Sequence, residues 1–360
     1  MTGLAVGSMC SGYGGLELGV RLALGAAATV VWHAEHDPDD PRPTACQAAP
    51  RVLAHHWPAV PNLGDLAAVN WQRVLLPDLV TAGFPCTDIS GAGPRVGLGA
   101  ATRSGVWAHV AAGLAVLRAR AVAAGRPGPL LYAENVEGLL HTPARRNADA
   151  GELEPCPWCL GDHPDAVLRA LGAVLGDLAG LGFDAEWCVL PAAAVGACHQ
   201  RNRVFVLAWP VGERPTAVRA VQPGVQHHRA VSQLFRTPTA QLAINGGSQH
   251  PDKRRAGGHG PTLADEVEHL WGTPGWARYQ AAIAHHELVS GHPVPAPVEQ
   301  GRNGQPRLTV PFVEWMMLLP PGHVTAVPGL TRNEQLRALG NGVVPAQAAA
   351  ALTHLLARTP

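Results

Sequence analysis

Residues 4–35 leave few folds open to the chain. Leu4-Ala5-Val6-Gly7-Ser8-Met9 is a short apolar run and Ser11-Gly12-Tyr13-Gly14-Gly15 a glycine-rich turn; Leu16–Leu24 has apolar residues at helical spacing, and Thr29–Ala34 is a second apolar run ending at Glu35. Strand, turn, helix and strand in that order make a βαβ unit, hence a parallel sheet and an α/β fold. The alternation continues. Further strands are predicted at Leu79–Ala82, Leu130–Ala133, Ala185–Leu190 and Val204–Ala208, with a long helix over Ala166–Leu181.

From about Arg214 to Arg307 the periodicity weakens and Gly, Pro, His and Arg dominate, which predicts a separate, loop-rich lobe. Phe312–Leu319 and Pro345–Leu356 regain helical spacing, so the chain is expected to return to its first domain. The expected division is therefore 1–213, 214–307 and 308–360. A chain of 360 residues with 47% hydrophobic content can bury a large core. It shows no fixed-period repeat, no basic and apolar leader, and no uncharged apolar run of about eighteen residues, so a cytoplasmic protein without a membrane span is expected. Seven Cys, an odd number, point to catalysis or metal rather than cross-links. The net charge of +0 does not announce a nucleic-acid binder, but a neutral total can hide a basic cleft. The most basic stretch, Pro251–Gly260, contains Lys253, Arg254 and Arg255.

Chemistry in an open α/β sheet is built at the carboxyl ends of its strands. The run Leu79–Ala82 leads through Gly83-Phe84-Pro85 to Cys86, and Leu130–Ala133 leads to Glu134-Asn135-Val136. A thiol and a carboxyl delivered there suit attack on an electron-poor ring with proton assistance. A free Cys is most often a small buried hydrophobe, but Pro85 and the following Gly91, Gly93, Gly97 and Gly99 are not the setting of one. The turn Ser11–Gly15 lets a ligand approach the backbone before a helix N-terminus, although such turns are as often purely structural. Glu35 fits a ribose acceptor and Asp65 could accept from an adenine amino group; each alone would otherwise be an exposed loop carboxylate. Arg201 and Arg203 are expected on one face of an incoming strand, as an anion or carbonyl clamp or as a solvated edge.

The order of these segments resembles the DNA cytosine-5 methyltransferases. The match runs from Ser11-Gly12-Tyr13-Gly14-Gly15 through Glu35, Asp65, Phe84-Pro85-Cys86-Thr87-Asp88-Ile89-Ser90, Glu134-Asn135-Val136 and Arg201-Asn202-Arg203 to Gly340-Asn341-Gly342-Val343. It covers nearly the whole chain outside the lobe. The resemblance implies a Rossmann-like sheet that binds S-adenosylmethionine, held by Ser11, Gly12, Tyr13, Gly14, Gly15, Glu35 and Asp65, with Pro85, Val106, Trp107 and Asn341 at the same pocket. It implies Cys86 as nucleophile toward carbon-6 of a flipped cytosine, Glu134 at ring nitrogen-3, Arg203 at the exocyclic oxygen and Arg201 supporting the loop. Gly91–Gly99 would close as a lid. The lobe would be a target-recognition domain on double-stranded DNA, with Ser90, Lys253, Arg254 and Arg255 on the DNA side. Cys10 stands where the family usually has an aromatic residue, and His199 where Gln is common.

Two rival readings use the same residues: an RNA cytosine-5 methyltransferase, and a non-catalytic DNA-binding homologue, disfavoured because Cys86, Glu134 and Arg203 are all present. Cys156-Pro157-Trp158-Cys159 with His163 has half of a zinc-site spacing, and the alternative is a surface turn with reduced thiols, so no metal is counted. A monomer is expected, acting beside a separately encoded restriction endonuclease or as a solitary or phage modifier.

Overall fold

Alternation of side chains along the strands divides the apolar residues of the sheet between two layers. The computed structural model describes residues 3–85, 105–147, 152–153, 168–213, 233–244, 247–301 and 304–359. Its strands are β1 (Leu4–Met9), β2 (Ala28–Ala34), β3 (Leu79–Ala82), β4 (Leu130–Val136), β5 (Arg145–Asn147), β6 (Glu152–Leu153), β7 (Phe183–Pro191), β8 (Asn202–Pro210), β9 (Val298–Gln300) and β10 (Pro306–Leu308). Six of them form the central sheet in the order β2-β1-β3-β4-β8-β7, while β5 pairs with β6 and β9 with β10. The helices are α1 (Gly15–Leu24), α2 (Ala48–His56), α3 (Val106–Ala123), α4 (Ala170–Gly180), α5 (Pro251–Ala256), α6 (Leu263–Leu270), α7 (Gln280–Ser290), α8 (Val310–Met316), α9 (Arg332–Asn341) and α10 (Pro345–Arg358).

On one face of the sheet Leu79, Tyr132, Phe205 and Leu207 pack with Leu16 and Val20 of α1 and Leu352 and Leu355 of α10. On the other, Val80, Leu131, Ala133, Val204 and Val206 pack with Val110, Leu114 and Leu117 of α3 and Val174 and Leu178 of α4. The result is the expected α/β layering. Helix α3 is long and apolar enough by length and composition to cross a membrane. Its apolar side is instead part of this core layer, and Arg120 donates from Nη1 to the Trp71 and Val74 carbonyls.

One strand departs from the expected parallel order. β4 pairs antiparallel with β8, and β8 antiparallel with β7. The link between β7 and β8, residues 192–201, is short for the crossover of about a dozen or more residues that a parallel return requires. The reversal carries the first residues of β8 to the carboxyl end of β4, with Arg203 opposite Val136.

The lobe is more helical than its Gly and Pro content suggests: α5, α6 and α7 lie within it. Thr262 and Asp265 form a reciprocal capping box that starts α6. The expected boundary at 308 also shifts. Leu263, Val267, Trp276 and Tyr279 of the lobe share one core with Leu308, Val310, Phe312, Met316, Leu336 and Leu339. Only α10 of the C-terminal segment lies on the sheet, because an apolar stripe says that a helix is buried but not against which layer.

That third core reaches the glycine turn through α8. Glu314, 2% exposed, accepts the N–H groups of Gly322 at 2.8 Å, Val324 at 2.6 Å and Thr325 at 2.9 Å. The turn so held carries His323, whose Nε2–H donates to the Tyr13 carbonyl at 2.8 Å. Glu314→Ala leaves those buried donors without their acceptor and should lower unfolding free energy by about 3 kcal/mol in chemical denaturation. A change within about 0.5 kcal/mol, the usual range of a surface substitution, would contradict this role.

Candidate active site

The glycine turn leaves β1 in a left-handed conformation, with Cys10 at φ 51° and Gly12 at φ 55°. The Gly12 N–H donates to Glu35 Oε2 at 2.8 Å, so the end of β2 fastens the turn that follows β1. Burial pushes the Glu35 carboxyl up to about 7, against the pull of that N–H. Cys10 is half-buried, and burial followed by the neighbouring Glu35 and Asp65 carboxylates holds its thiol well above the usual range. Its thiol is therefore held in the neutral form. Asp65 is exposed and its Oδ1 accepts the Ala67 N–H at 3.0 Å, which fixes its turn.

Beneath the turn lies a buried polar chain. Glu17 Oε1 accepts from Ser8 Oγ, and from Thr81 Oγ1 at 2.6 Å; Ser11 Oγ is 2.6 Å from Ser8 Oγ and 3.3 Å from His33 Nδ1. Burial raises the Glu17 carboxyl and lowers His33 to about 4. The Ser11 hydroxyl thus belongs to the support of the turn. The same correction applies to the Tyr13 side chain. Its ring is fully buried and Oη donates to the Val343 carbonyl at 2.7 Å, so Tyr13 clamps the returning C-terminal segment. Gly342 lies flat against that ring, where a Cβ would overlap it. Asn341, exposed at the end of α9, comes to the rim of the turn by this contact.

Glu134 lies near the end of β4 and Arg203 at the start of β8, diagonal neighbours on one sheet face. Arg203 Nε is 2.8 Å from Glu134 Oε1, with side chains 14% and 10% exposed. Burial raises the Glu134 carboxyl, opposed by the Arg203 and Arg201 guanidinium groups. A carboxyl poised in this way can share a proton with a ring nitrogen while the adjacent guanidinium meets a carbonyl oxygen. Asn135, 2% exposed, donates from Nδ2 to the Phe84 carbonyl at 3.3 Å, tying this strand end to the segment Phe84-Pro85. Phe84 packs on Trp107, ring centroids 5.1 Å apart, beside the half-buried Val106, and Trp107 Nε1 donates to Asp177 Oδ2 at 2.8 Å. Pro85 is exposed at the end of this segment. Cys86, Ser90 and the Gly91–Gly99 stretch lie outside the described residues, as do Cys156, Cys159 and His163.

Arg201 does not share a strand face with Arg203. It precedes β8, with φ 38°, so strand alternation does not reach it. Its buried guanidinium donates to the carbonyls of Pro238 at 2.8 Å, Gly340 at 3.2 Å and Gly342 at 2.5 Å. Its N–H goes to Thr237 Oγ1 at 3.2 Å, and its carbonyl accepts Gln347 Nε2 at 2.9 Å. Arg201 is a brace joining the sheet, the lobe and the C-terminal return. His199 is also structural: fully buried, it donates from Nε2 to the Met316 carbonyl at 3.0 Å, and burial drives its imidazole well below the usual range.

The three basic residues of α5 differ in their freedom. Arg254 is 3.1 Å from the buried Asp265, Arg255 pairs with exposed Asp252 at 2.7 Å, and Lys253 is exposed. Sequence reading did not assign Asn135, Gln347 or Arg236. Asn135 follows a candidate acid directly, which was the available signal; Gln347 and Arg236 had none, because their partners lie far away in the chain.

Residues 4–241 match the family model described as C-5 cytosine-specific DNA methylase. The chain belongs to this family. The C-5 cytosine-specific methylases use S-adenosylmethionine as methyl donor, and the turn fastened by Glu35 suits such a ligand. The chain is 31% identical over 237 residues to a DNA N-6-adenine-methyltransferase of Escherichia phage P1, covering 58% of this chain and 29% of that one. It is 30% identical over 159 residues to the type II methyltransferase M.NgoBV of Neisseria gonorrhoeae, covering 44% and 31%. The methylase chain thus spans about a third of the length of these curated relatives. In fold it is similar to a mutant of Spodoptera frugiperda DNMT2 at TM-score 0.51 and 14% identity, covering 99% of this chain and 100% of that one. It is likewise similar to the Schizosaccharomyces pombe Dnmt2 methyltransferase at TM-score 0.51 and 13% identity, covering 98% of each.

The high carboxyl of Glu35 generates a measurable pH dependence in the methylase. We propose that Glu35 accepts the ribose hydroxyls of the cofactor; only its ionised form is a full acceptor, so the affinity for S-adenosylhomocysteine should rise by up to about tenfold between pH 6 and pH 8. Calorimetric titration checks this. Glu35→Gln should bind weakly and without the pH slope; a slope that survives the substitution would assign it to another group.

Proposed function

We propose that this chain transfers a methyl group to carbon-5 of a cytosine in double-stranded DNA through a covalent intermediate on Cys86. The observation that carries the reading is the buried Glu134–Arg203 pair, whose neighbour Asn135 is hydrogen-bonded to Phe84, two residues before Cys86. Carbon-5 of cytosine is a poor nucleophile. Addition of the Cys86 thiolate to carbon-6 converts the ring to an enamine and moves electron density to carbon-5. Glu134, raised by burial, has a proton to share with nitrogen-3 as negative charge builds there. Arg203 meets the exocyclic oxygen, and its Nε keeps Glu134 in place. S-adenosylmethionine supplies an electrophilic methyl group when bound, and the Gly12 turn, Glu35, Asp65 and Asn341 would hold it. Once carbon-5 is methylated, loss of its proton and elimination of Cys86 restore the aromatic ring.

The target atoms are inaccessible in stacked duplex, so the cytosine must be flipped. A lobe of this size favours duplex DNA over RNA, and the name of the matching family model and that of the phage relative both refer to DNA. The phage relative's name refers to adenine N-6, but methylation of an exocyclic amine has no use for a nucleophilic thiol, and the chain carries Cys86 two residues after Phe84. The methylase acts as a monomer, either beside a separately encoded restriction endonuclease or as a solitary modifier.

Expression in a methylation-free host followed by bisulfite sequencing should reveal 5-methylcytosine in one sequence context, with transfer RNA from the same cells unmodified. Methylated adenine, or methylated transfer RNA with unmodified DNA, would overturn the assignment. DNA containing 5-fluorocytosine should trap the enzyme covalently and Cys86→Ala should abolish both trapping and transfer. Glu134→Gln should lower the rate by about 10²- to 10⁴-fold.

A further inference from the structure

Segment 235–238 of the lobe is laced to the turn that leads into Arg203. The Phe235 N–H donates to the Cys198 carbonyl at 2.9 Å, Thr237 Oγ1 takes the Arg201 N–H at 3.2 Å and the Pro238 carbonyl takes Arg201 Nη1 at 2.8 Å. Phe235, 3% exposed, stacks on Tyr279 with centroids 4.0 Å apart. The backbone of Phe235 and the hydroxyl of Thr237 are thus bonded to the turn on either side of a single residue. That residue is Arg236, 54% exposed.

Its exposure is not freedom. Glu266, 5% exposed, accepts the Arg236 N–H at 3.1 Å and lies 3.5 Å from Arg236 Nε. Arg236 also forms a wall shared by two hollows: one of 290 Å³ beside Thr239 and Gln241, and one of 470 Å³ beside Gln200, Gln233, Arg255 and Arg278. The other two arginines of the larger hollow are fastened differently. Arg255 pairs with Asp252, itself highly exposed, and Arg278 Nε donates to the Gly275 carbonyl at 2.9 Å. Surface cations not held by a buried carboxylate suit phosphate, whose contacts position the duplex without reading it. A guanidinium whose inner edge is set by a buried carboxylate presents a plane, and a fixed plane is what two parallel hydrogen bonds to guanine O6 and N7 require.

We infer that Arg236 reads a base edge and that the base is a guanine at a fixed position near the target cytosine. Arg255 and Arg278 hold phosphates of the same duplex. This rests on the proposal that the substrate is duplex DNA, and it adds the residue that sets part of the sequence preference.

The test compares wild type, Arg236→Ala, Arg236→Lys and Arg278→Ala in two assays: the methylation map of host DNA, and selection of bound duplexes from a random pool, which needs no methyl transfer. The wild-type motif should contain an invariant guanine. Arg236→Ala should relax that position alone by about 5- to 150-fold. Arg236→Lys, which keeps charge but loses the planar fork, should relax the same position while remaining folded if the alanine variant is not. Arg278→Ala should weaken all sequences alike and lessen the salt dependence of binding. A motif without a fixed guanine, an unchanged motif in both Arg236 variants, or uniform weakening in Arg236→Lys would each overturn the inference. If the map is blank but the selected duplexes show the guanine and its loss, the methyl-transfer proposal fails and the reading role of Arg236 stands.

Discussion

Segment 235–238 of the lobe and the end of α9 meet the start of β8 on the guanidinium of Arg201, which donates to the carbonyls of Pro238, Gly340 and Gly342. Main-chain carbonyls at such junctions cannot be satisfied by a helix or sheet ladder and would be costly if buried without donors. Arg offers five donors in a planar fork, more than any other side chain, so one residue can close three loose ends. Gln347 completes the junction from α10 by donating to the Leu190 and Arg201 carbonyls. Everything that must be in register at the site is referred to this point: the glycine turn through Gly342 and Tyr13, the lobe through Thr237 and Pro238, and Arg203 two residues on.

The reversal of β8 has a similar standing. Had the strand run parallel, its first residues would lie at the opposite edge of the sheet and Arg203 could not reach Glu134. A short link forces the antiparallel return, and the return creates a buried ion pair where the carboxyl ends of β3 and β4 open. Taking both charges from water is costly, and their attraction offsets this only in good geometry. Such a pair adds little to stability but sets the protonation of Glu134, because burial pushes the carboxyl up while Arg203 pulls it down. The polar chain of Glu17, Ser8, Ser11 and His33 beneath the glycine turn is another place where the interior carries hydrogen-bonded groups that fix geometry.

Much of this site was legible in the amino-acid order. Glu35 was read as a ribose acceptor from its position after a strand, and in the structure its carboxylate takes the Gly12 N–H of the turn. Glu134 and Arg203 were each assigned from strand ends and meet at 2.8 Å. Tyr13 and Arg201 were read as site residues because motif and alternation give position along the chain, not direction. Tyr13 turns into the core, and Arg201 lies outside the strand whose alternation was applied to it. The helices of the lobe were missed because α5 and α6 are short and start from capping chemistry, with too few turns to build a periodic signal. Lys253, Arg254 and Arg255 stood out as a charge run, while Arg236 is a single Arg without charged sequence neighbours.

The sequence by itself determined the parallel start of the sheet, the order of the chemical groups and the strand ends that carry them, because these follow from local period and spacing. Only the tertiary structure decided the hand of β8, which core the 308–339 segment joins, and which arginine braces and which is displayed. The brace, for one, depends on Gly342, 141 residues along the chain from Arg201, and no local pattern encodes such a partner.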